Sequence, residues 1–236
     1  MAFAFFYTNC ITRTERQKQL TDMANEKSMA SRHEEVKKHV IEVASKAFHT
    51  NGIKNVTMDT IAHSLCMSKR TLYQMFADKE DLLLACVKSH DNERKAELAA
   101  LAEKTVNVLE FILAFFAESI KDAQHINADF FSELLKYPKL VDFHNKKHKM
   151  EENDAVAFLN KGIEQGYFRQ DINFHIVYNQ ISEGINIILR NDVMANYPNL
   201  EVFKNTVLLY IRGCATLKGI EMIDAFIEKH ESEFEM

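Results

Sequence analysis

The sequence predicts an all-α protein, and three observations support that prediction. Only six glycines and two prolines occur in 236 residues, and tryptophan is absent, so the turn residues typical of β-sandwiches and barrels are scarce. Apolar residues recur along most of the chain at the three- and four-residue spacing of one helix face, and no strand pattern competes. With 47% hydrophobic residues, the chain can bury at least one sizeable core.

The first helix is predicted from Arg32 to Phe48. It should end at Asn51-Gly52, because glycine tolerates the left-handed conformation that closes a helix C-terminus. Its apolar residues share one helical face, and they are Val36, Val40, Val43, Ala44, Ala47 and Phe48.

Three N-terminal caps predict the next helices. Thr57 precedes the segment MDTIAHSL, and its hydroxyl suits the N-cap position of a short second helix. After a very short link, Ser68 repeats the signal ahead of KRTLYQMF, where Leu72 and Phe76 share a face. Asp78 then caps a longer fourth helix, whose first turn carries acids that the helix dipole favours.

The rest of the chain is also predicted to be helical. Breaks are expected near residues 125–127, at Pro138, at Gly166 and near residues 196–198. The predicted helices cover residues 105–122, 127–136, 139–165, 173–190 and 201–230.

The charge of the chain is divided unevenly along its length. Overall the net charge is −5, but residues 30–90 carry nine Lys and Arg against seven Asp and Glu, a balance of +2. Residues 91–236 carry sixteen against twenty-four, a balance of −8. The acidic total therefore does not argue against nucleic-acid binding by the N-terminal segment.

Composition also bears on the compartment. The four cysteines lie far apart without a CxxC pair, which suggests neither a zinc knuckle nor a disulfide framework and favours a reducing cytoplasm. The chain has no run of about eighteen uncharged apolar residues, so no membrane span is predicted. The opening MAFAFFYTNC lacks the basic residue of a signal peptide, and Met23 and Met29 are alternative starts.

The three short helices predict a helix-turn-helix unit that binds double-stranded DNA. In this geometry the third helix enters the major groove. Because Leu72 and Phe76 point inward, the side chains of Lys69, Arg70, Thr71 and Gln74 should face base edges or phosphates.

The run GIKNVTMDTIAHSLCMSKRTLYQMFADKEDLL resembles the DNA-binding signature of the tetracycline-repressor (TetR) family. The match is specific because many elements recur in order over this length. They are Phe48-x-x-x-Gly52, Thr57, Ile61-Ala62, Ser68, Thr71-Leu72-Tyr73, Phe76 and Lys79-x-x-Leu82.

The resemblance implies roles for individual residues. Thr57 resembles a phosphate contact at the start of the second helix, Tyr73 an aromatic hydroxyl that meets the DNA backbone, and Lys79 a phosphate anchor at the start of the fourth helix. Ser68 joins the expected DNA contacts, and Lys69, Arg70, Thr71 and Gln74 occupy the reading positions.

Cys66 departs from the family pattern. Many members have glycine at this turn, and a left-handed L-residue there costs roughly 1–2 kcal/mol. We interpret Cys66 as a small, half-buried turn residue, in preference to a redox sensor.

The family resemblance also implies a domain organisation and partners. We expect a disordered or artefactual leader at residues 1–30, a helix-turn-helix domain at 31–78, and a helical effector-binding and dimerisation domain at 79–236. The last two long helices would form a four-helix interface in a homodimer. Such a dimer reads two half-sites of a near-palindromic operator. The implied function is a repressor that a small molecule releases from DNA.

The effector site is indicated only by aromatic residues in the C-terminal half, since such side chains commonly line ligand pockets. The candidates are Phe111, Phe115, Phe116, Phe131, Phe143, Phe158 and Tyr178. They favour an apolar or aromatic effector. The same spacing also fits an ordinary core.

Three other interpretations of the sequence differ from DNA binding regulated by an apolar effector. His144 and His148 have the i, i+4 spacing of zinc ligands, but the intervening lysines favour a solvated helix face, so no metal or other cofactor is predicted. No catalytic motif supports an enzyme, and we predict no catalytic residue. A helical adaptor that binds protein would be favoured if the face of Lys69 and Arg70 proved dispensable.

Overall fold

The computed structural model describes residues 31–123, 126, 127, 129–190, 197, 201 and 204–234, and the predicted leader at 1–30 lies outside them. The fold is helical, as predicted. Its helices are α1 (residues 31–51), α2 (Met58–Ser64), α3 (Lys69–Met75), α4 (Lys79–Lys104), α5 (Val108–Ala123), α6 (Phe130–Leu134), α7 (Pro138–Glu164), α8 (Phe174–Arg190), α9 (Leu209–Cys214) and α10 (Leu217–Phe234). A π-helical segment, Lys204–Leu208, leads into α9.

The three predicted caps are confirmed. The Thr57 hydroxyl accepts a hydrogen bond from the Thr60 N–H at 3.1 Å, and the Thr60 hydroxyl oxygen accepts one from the Thr57 N–H at 2.9 Å. Ser68 caps α3 through the Thr71 N–H, and the Asp78 carboxylate caps α4 through the Asp81 N–H at 2.7 Å. This last hydrogen bond is the main reason that the pKa of Asp78 lies below its usual value. Local polar side chains thus fix the starts of all three helices.

Three described residues have left-handed backbone, and each lies at a turn: Gly52, Cys66 and Gly166. Gly52 closes α1 with φ of +78°, as predicted from the sequence. Cys66, between α2 and α3, has φ of +51°, so an L-residue does occupy the left-handed position expected there. Its side chain is exposed, however, which corrects the prediction of a half-buried residue.

The first core joins the helix-turn-helix unit to the elements that follow it. Val40, Phe48, Leu72 and Leu82 are completely buried within it. Phe130 of α6 and Leu140 of α7 belong to the same cluster, so apolar packing continues across the predicted domain boundary at residues 78 and 79. The boundary itself stays a prediction.

The second core lies in the C-terminal half, where α5, α7, α9 and α10 meet. Leu109, Leu113 and Ile223 are its most deeply buried side chains, and Val156 and Phe168 are also buried there. α4 runs beside both α5 and α7 and therefore connects the DNA-binding unit to this core.

The single helix predicted over residues 201–230 is wrong, because the chain breaks between α9 and α10. Ala215 adopts an extended backbone and pairs with Phe168 in an isolated β-bridge. The Arg169 N–H donates to the Cys214 carbonyl, and the Thr216 N–H donates to the Tyr167 carbonyl, each at 2.9 Å. A side chain at Gly219 would collide with the Tyr167 backbone. The break is therefore caused by a turn about fifty residues earlier in the chain.

Two other helices have bounds that differ by a few residues from the predicted ones. The helix predicted at 127–136 is shorter, at Phe130–Leu134, because Asn127 forms turn contacts through its side-chain oxygen to the Asp129 N–H. α5 begins at Val108, where the Asn107 side chain accepts from the Glu110 N–H at 2.9 Å. Within the described residues, no helix is long and apolar enough to cross a membrane.

Candidate nucleic-acid interface

α3 is amphipathic, with a polar outer face and an apolar inner face. Leu72 and Phe76 are buried, with exposed fractions of 0% and 4%. The predicted reading residues Lys69, Arg70, Thr71 and Gln74 are all exposed, and Tyr73, at 49% exposure, lies beside them. The structure therefore brings the predicted reading residues together on one short helix.

The hydroxyl groups at this face already have structural partners. The Ser68 and Thr71 hydroxyl oxygens lie 2.8 Å apart, and Thr57 is held in its reciprocal cap with Thr60. Each hydroxyl has a single O–H donor, so only one of Ser68 and Thr71 keeps a donor free for a phosphate oxygen, and Thr57 must release its donation to the Thr60 hydroxyl to make such a contact.

An ion pair joins the first turns of α2 and α3. The Lys69 ammonium lies 2.5 Å from the Asp59 carboxylate, although the residues are ten positions apart. Sequence reasoning assigned Lys69 to DNA and gave Asp59 no role. The acid in the MDTIAHSL segment was the available signal, but only the tight turn shows that the two side chains meet.

Lys79 is turned toward the protein. Its ammonium donates a hydrogen bond to the Ile53 carbonyl oxygen and lies 5.9 Å from the centre of the Phe48 ring. Burial lowers the pKa of Lys79, and the nearby carboxylate of Glu133 partly offsets that effect. The expected phosphate anchor thus also braces the loop between α1 and α2.

α6 and the residues before it hold the same loop from the other side. The Glu133 carboxylate accepts the Lys54 N–H at 2.8 Å, and the Asn127 N–H donates to the His49 carbonyl at 2.7 Å. A side chain at Gly52 would approach the Asn127 amide oxygen to 3.2 Å. No sequence pattern predicts the contact between Lys54 and Glu133, because the two residues lie 79 positions apart.

Charged side chains connect α4 to its neighbours. Asp91, whose side chain is only 12% exposed, pairs with Lys147 of α7. Burial alone would raise the pKa of Asp91, but the hydrogen bonds and charges of Lys147 and Lys95 together outweigh burial, so the pKa is lowered. Arg94 lies 4.8 Å from the centre of the Phe115 ring and donates to the Ser119 hydroxyl, which ties α4 to α5.

The predicted effector residues do not form one group. Phe131 packs in the first core beside Phe130, and Phe143 lies under the Lys88 ammonium of α4. Phe115 contacts Arg94, as described above. The remaining four aromatic residues belong to the second core or its edge, where Phe111 and Phe158 meet edge to face with ring centres 5.0 Å apart, and Phe116 and Tyr178 pack nearby.

The histidine pair on α7 is held by an aromatic contact. The His148 ring stacks on Tyr178 with centres 4.6 Å apart, and the His144 ring centre lies 6.4 Å from that of His148. The His148 Nε2 atom is buried and has no hydrogen-bond partner in the described part of the chain. Among the described residues, no three His, Cys, Asp or Glu side chains are grouped to hold a metal ion.

Each of the two predicted dimer helices includes an exposed apolar side chain. Ile176 of α8 is 56% exposed and Leu209 of α9 is 68% exposed. Val207, Ile211 and Ala215, which lie within the helix predicted at residues 201–230, are buried in the second core. The side chains of Ile185, Ile188 and Leu189 lie outside the described residues.

Comparisons with known proteins agree with this geometry. Residues 40–86 match the model of the bacterial regulatory proteins of the tetR family. The repressor KstR2 of Mycobacterium tuberculosis (strain ATCC 25618 / H37Rv) is 27% identical over 150 residues, which cover 61% of this chain and 74% of that protein. An HTH-type transcriptional regulator of Staphylococcus aureus (strain USA300) is 25% identical and covers 63% of this chain and 86% of the relative.

A solved structure shares the fold. The TetR-family transcriptional regulator from Agrobacterium tumefaciens is 16% identical and superposes with a TM-score of 0.60, covering 78% of this chain and all of the other. The fold and the exposed face of α3 define a helix-turn-helix DNA-binding regulator of transcription. This chain therefore carries a tetR-family DNA-binding domain at residues 40–86.

Proposed function

We propose that this chain is a repressor that reads a near-palindromic operator with α3. The observation that carries the proposal is the exposed face of Lys69, Arg70, Thr71 and Gln74, which lies over a fully buried Leu72 and follows a capped N-terminus. Arg70 can donate to guanine and Gln74 can pair with adenine. Among the described residues, neither side chain has a hydrogen-bond partner that it must first release.

Phosphate contacts complete the proposed interface. Thr57, Ser68 and Tyr73 supply hydroxyl donors around the reading face. The Lys79 ammonium has three donors, so it can keep the Ile53 carbonyl and still point a second N–H toward a phosphate. In this arrangement Lys79 sets the position of the loop and adds positive charge to the interface.

The operator is read by a homodimer in this proposal. One α3 contacts only a few base pairs, and useful specificity normally takes two half-sites about one helical turn apart. The exposed Ile176 and Leu209 support a dimer face on α8 and the segment that contains α9, in line with the two last long helices of the sequence prediction.

The effector site is proposed between α5, α7 and α8. Phe111, Phe116, Phe158 and Tyr178 supply apolar surface there, and the buried His148 Nε2 offers a hydrogen bond that no described residue uses. A buried polar atom without a partner costs roughly 1–3 kcal/mol, so a ligand that satisfies it gains affinity. This supports an apolar effector that carries a hydrogen-bonding group.

Release from DNA would follow from movement of α7 against α4. The Asp91 to Lys147 pair and the α6 contacts at Lys54 both connect this region to the DNA-binding unit. An effector acts in this way only if it binds the released state more tightly than the DNA-bound state. We further propose that the protein has no catalytic activity and works in the cytoplasm.

Selection of bound fragments from the source genome tests the proposed function. We expect the wild-type protein to enrich one near-palindrome, with two protein chains bound to each fragment. The double variant Arg70→Ala and Gln74→Ala is the control, and it should enrich no motif. If the wild-type protein enriches nothing above random fragments, the proposal is wrong and a protein-binding adaptor becomes the better interpretation.

A further inference from the structure

We propose that Asp59 is a specificity-determining residue that competes with DNA phosphates for Lys69. The inference rests on the proposed function, because it concerns the DNA-reading face. It starts from the ion pair between the Asp59 carboxylate and the Lys69 ammonium, 2.5 Å apart, which the DNA signature of the sequence does not explain.

The pair lies in solvent on the reading face itself. The Asp59 and Lys69 side chains are 56% and 64% exposed, and Arg70 follows directly in the sequence. An exposed ion pair of this kind adds little to stability, since both partners are well hydrated when apart. Its main consequence is therefore the charge that the face presents to DNA.

A phosphate and a base edge respond differently to this pair. A phosphate oxygen that approaches Lys69 carries negative charge and is repelled by Asp59, so it must displace the carboxylate. The acceptors on a guanine edge are uncharged. An ammonium has three donors, and one can remain on Asp59 while another meets the base.

Asp59 therefore penalises phosphate contacts more than base contacts. Binding to random DNA depends almost entirely on phosphates and released counterions, and it loses the contribution of Lys69. Binding to the operator keeps its base contacts. Asp59 thus increases the preference for the operator, because it weakens the complexes with random DNA. The repulsion between its carboxylate and a phosphate disfavours the wrong partner more than the right one.

The test compares two duplexes at several salt concentrations. One is the fragment selected by the wild-type protein, and the other is a scrambled duplex of the same length and composition. For Asp59→Asn we expect affinity for the scrambled duplex to rise about threefold to tenfold, with a salt dependence steeper by about one phosphate contact. Operator affinity should change by less than about twofold, so the specificity ratio falls.

Two further variants supply controls. Asp142→Asn removes the same charge from an exposed Asp to Lys pair on α7, away from the interface, and should leave both affinities unchanged. In a Lys69→Ala background, Asp59→Asn should no longer raise the affinity for scrambled DNA, because the ammonium that the carboxylate withholds is gone.

Two results would overturn the inference. One is an Asp59→Asn variant that binds the operator more weakly, because the carboxylate would then position Lys69 for base contact. The other is an equal change on both duplexes. Failure of the proposed function is distinguishable, since the wild-type protein itself would then show no preference between the duplexes.

Discussion

At the residue scale, the sequence signature assigns DNA contacts to four side chains of α3 and α4 whose surroundings in the structure differ. Arg70 and Gln74 are exposed on α3, whereas Lys69 is paired with Asp59 and Lys79 donates to the Ile53 carbonyl. Exposed side chains lose rotamer freedom and bound water when they contact DNA, but they release no protein partner. The two lysines must also give up or share a partner, so their contributions to binding include the strength of those contacts.

Lys79 gives a prediction with two readouts. Lys79→Met keeps the apolar stem but removes the ammonium, and a hydrogen bond from a charged group is worth roughly 1.5–3 kcal/mol. We expect thermal unfolding to move to lower temperature, and binding to both operator and scrambled DNA to weaken with a shallower salt dependence. Circular dichroism and fluorescence anisotropy measure the two effects.

The control for this experiment is Lys146→Met, which removes an exposed lysine from α7 and should change neither property. A Lys79→Met protein as stable as the wild type would contradict the bracing role. Undiminished DNA binding would contradict the phosphate contact.

At the element scale, the sequence predicts best the helices whose ends are determined locally. Thr57, Ser68 and Asp78 each satisfy a backbone N–H three residues later, so the signal and its partner lie within one turn. The break between α9 and α10 depends on backbone pairing with the turn around Phe168, and no local pattern reveals it. Helical periodicity continues through residues 201–230 and therefore predicted a single helix.

α6 is a second example of a contact that local sequence patterns do not reveal, and this one supports the candidate site. Its Glu133 carboxylate accepts the Lys54 N–H, which fixes the loop that leads into α2. The sequence indicated a short helix in this region but not its partner, because the contact spans 79 residues and depends on how α6 packs into the first core. α6 is thus part of the structure that positions the reading face.

Glu133→Ala tests this connection. Because the Lys54 N–H loses its acceptor, we expect its hydrogen exchange to accelerate by about tenfold or more, which corresponds to about 1.4 kcal/mol. Operator affinity should fall as the loop before α2 loosens. Amide exchange followed by NMR measures the first effect directly.

Glu133→Gln retains an acceptor oxygen and should preserve most of the protection. Glu118→Ala removes an exposed acid from α5 and serves as the neutral comparison. Unchanged exchange at Lys54 in the Glu133→Ala protein would show that α6 does not hold the loop.

At the scale of the whole molecule, two apolar cores are connected through α4. The first core contains the helix-turn-helix unit together with Phe130 and Leu140, and the second lies between α5, α7, α9 and α10. The charge division seen in the sequence follows this architecture, with the positive balance near the reading face and the acidic excess beyond residue 90. A change in the second core can reach DNA through α4 and α6 without any direct contact.

If α3 reads specific bases, single substitutions on its exposed face must weaken binding to the selected operator. The quantity to measure is the operator affinity of two such variants. Arg70→Ala and Gln74→Ala should each cost about 1–3 kcal/mol of operator binding. Gln74→Ala should leave binding to a scrambled duplex unchanged, because it removes no charge. If both variants bind the operator as tightly as the wild type, α3 is not the reading helix and the assigned interface is wrong.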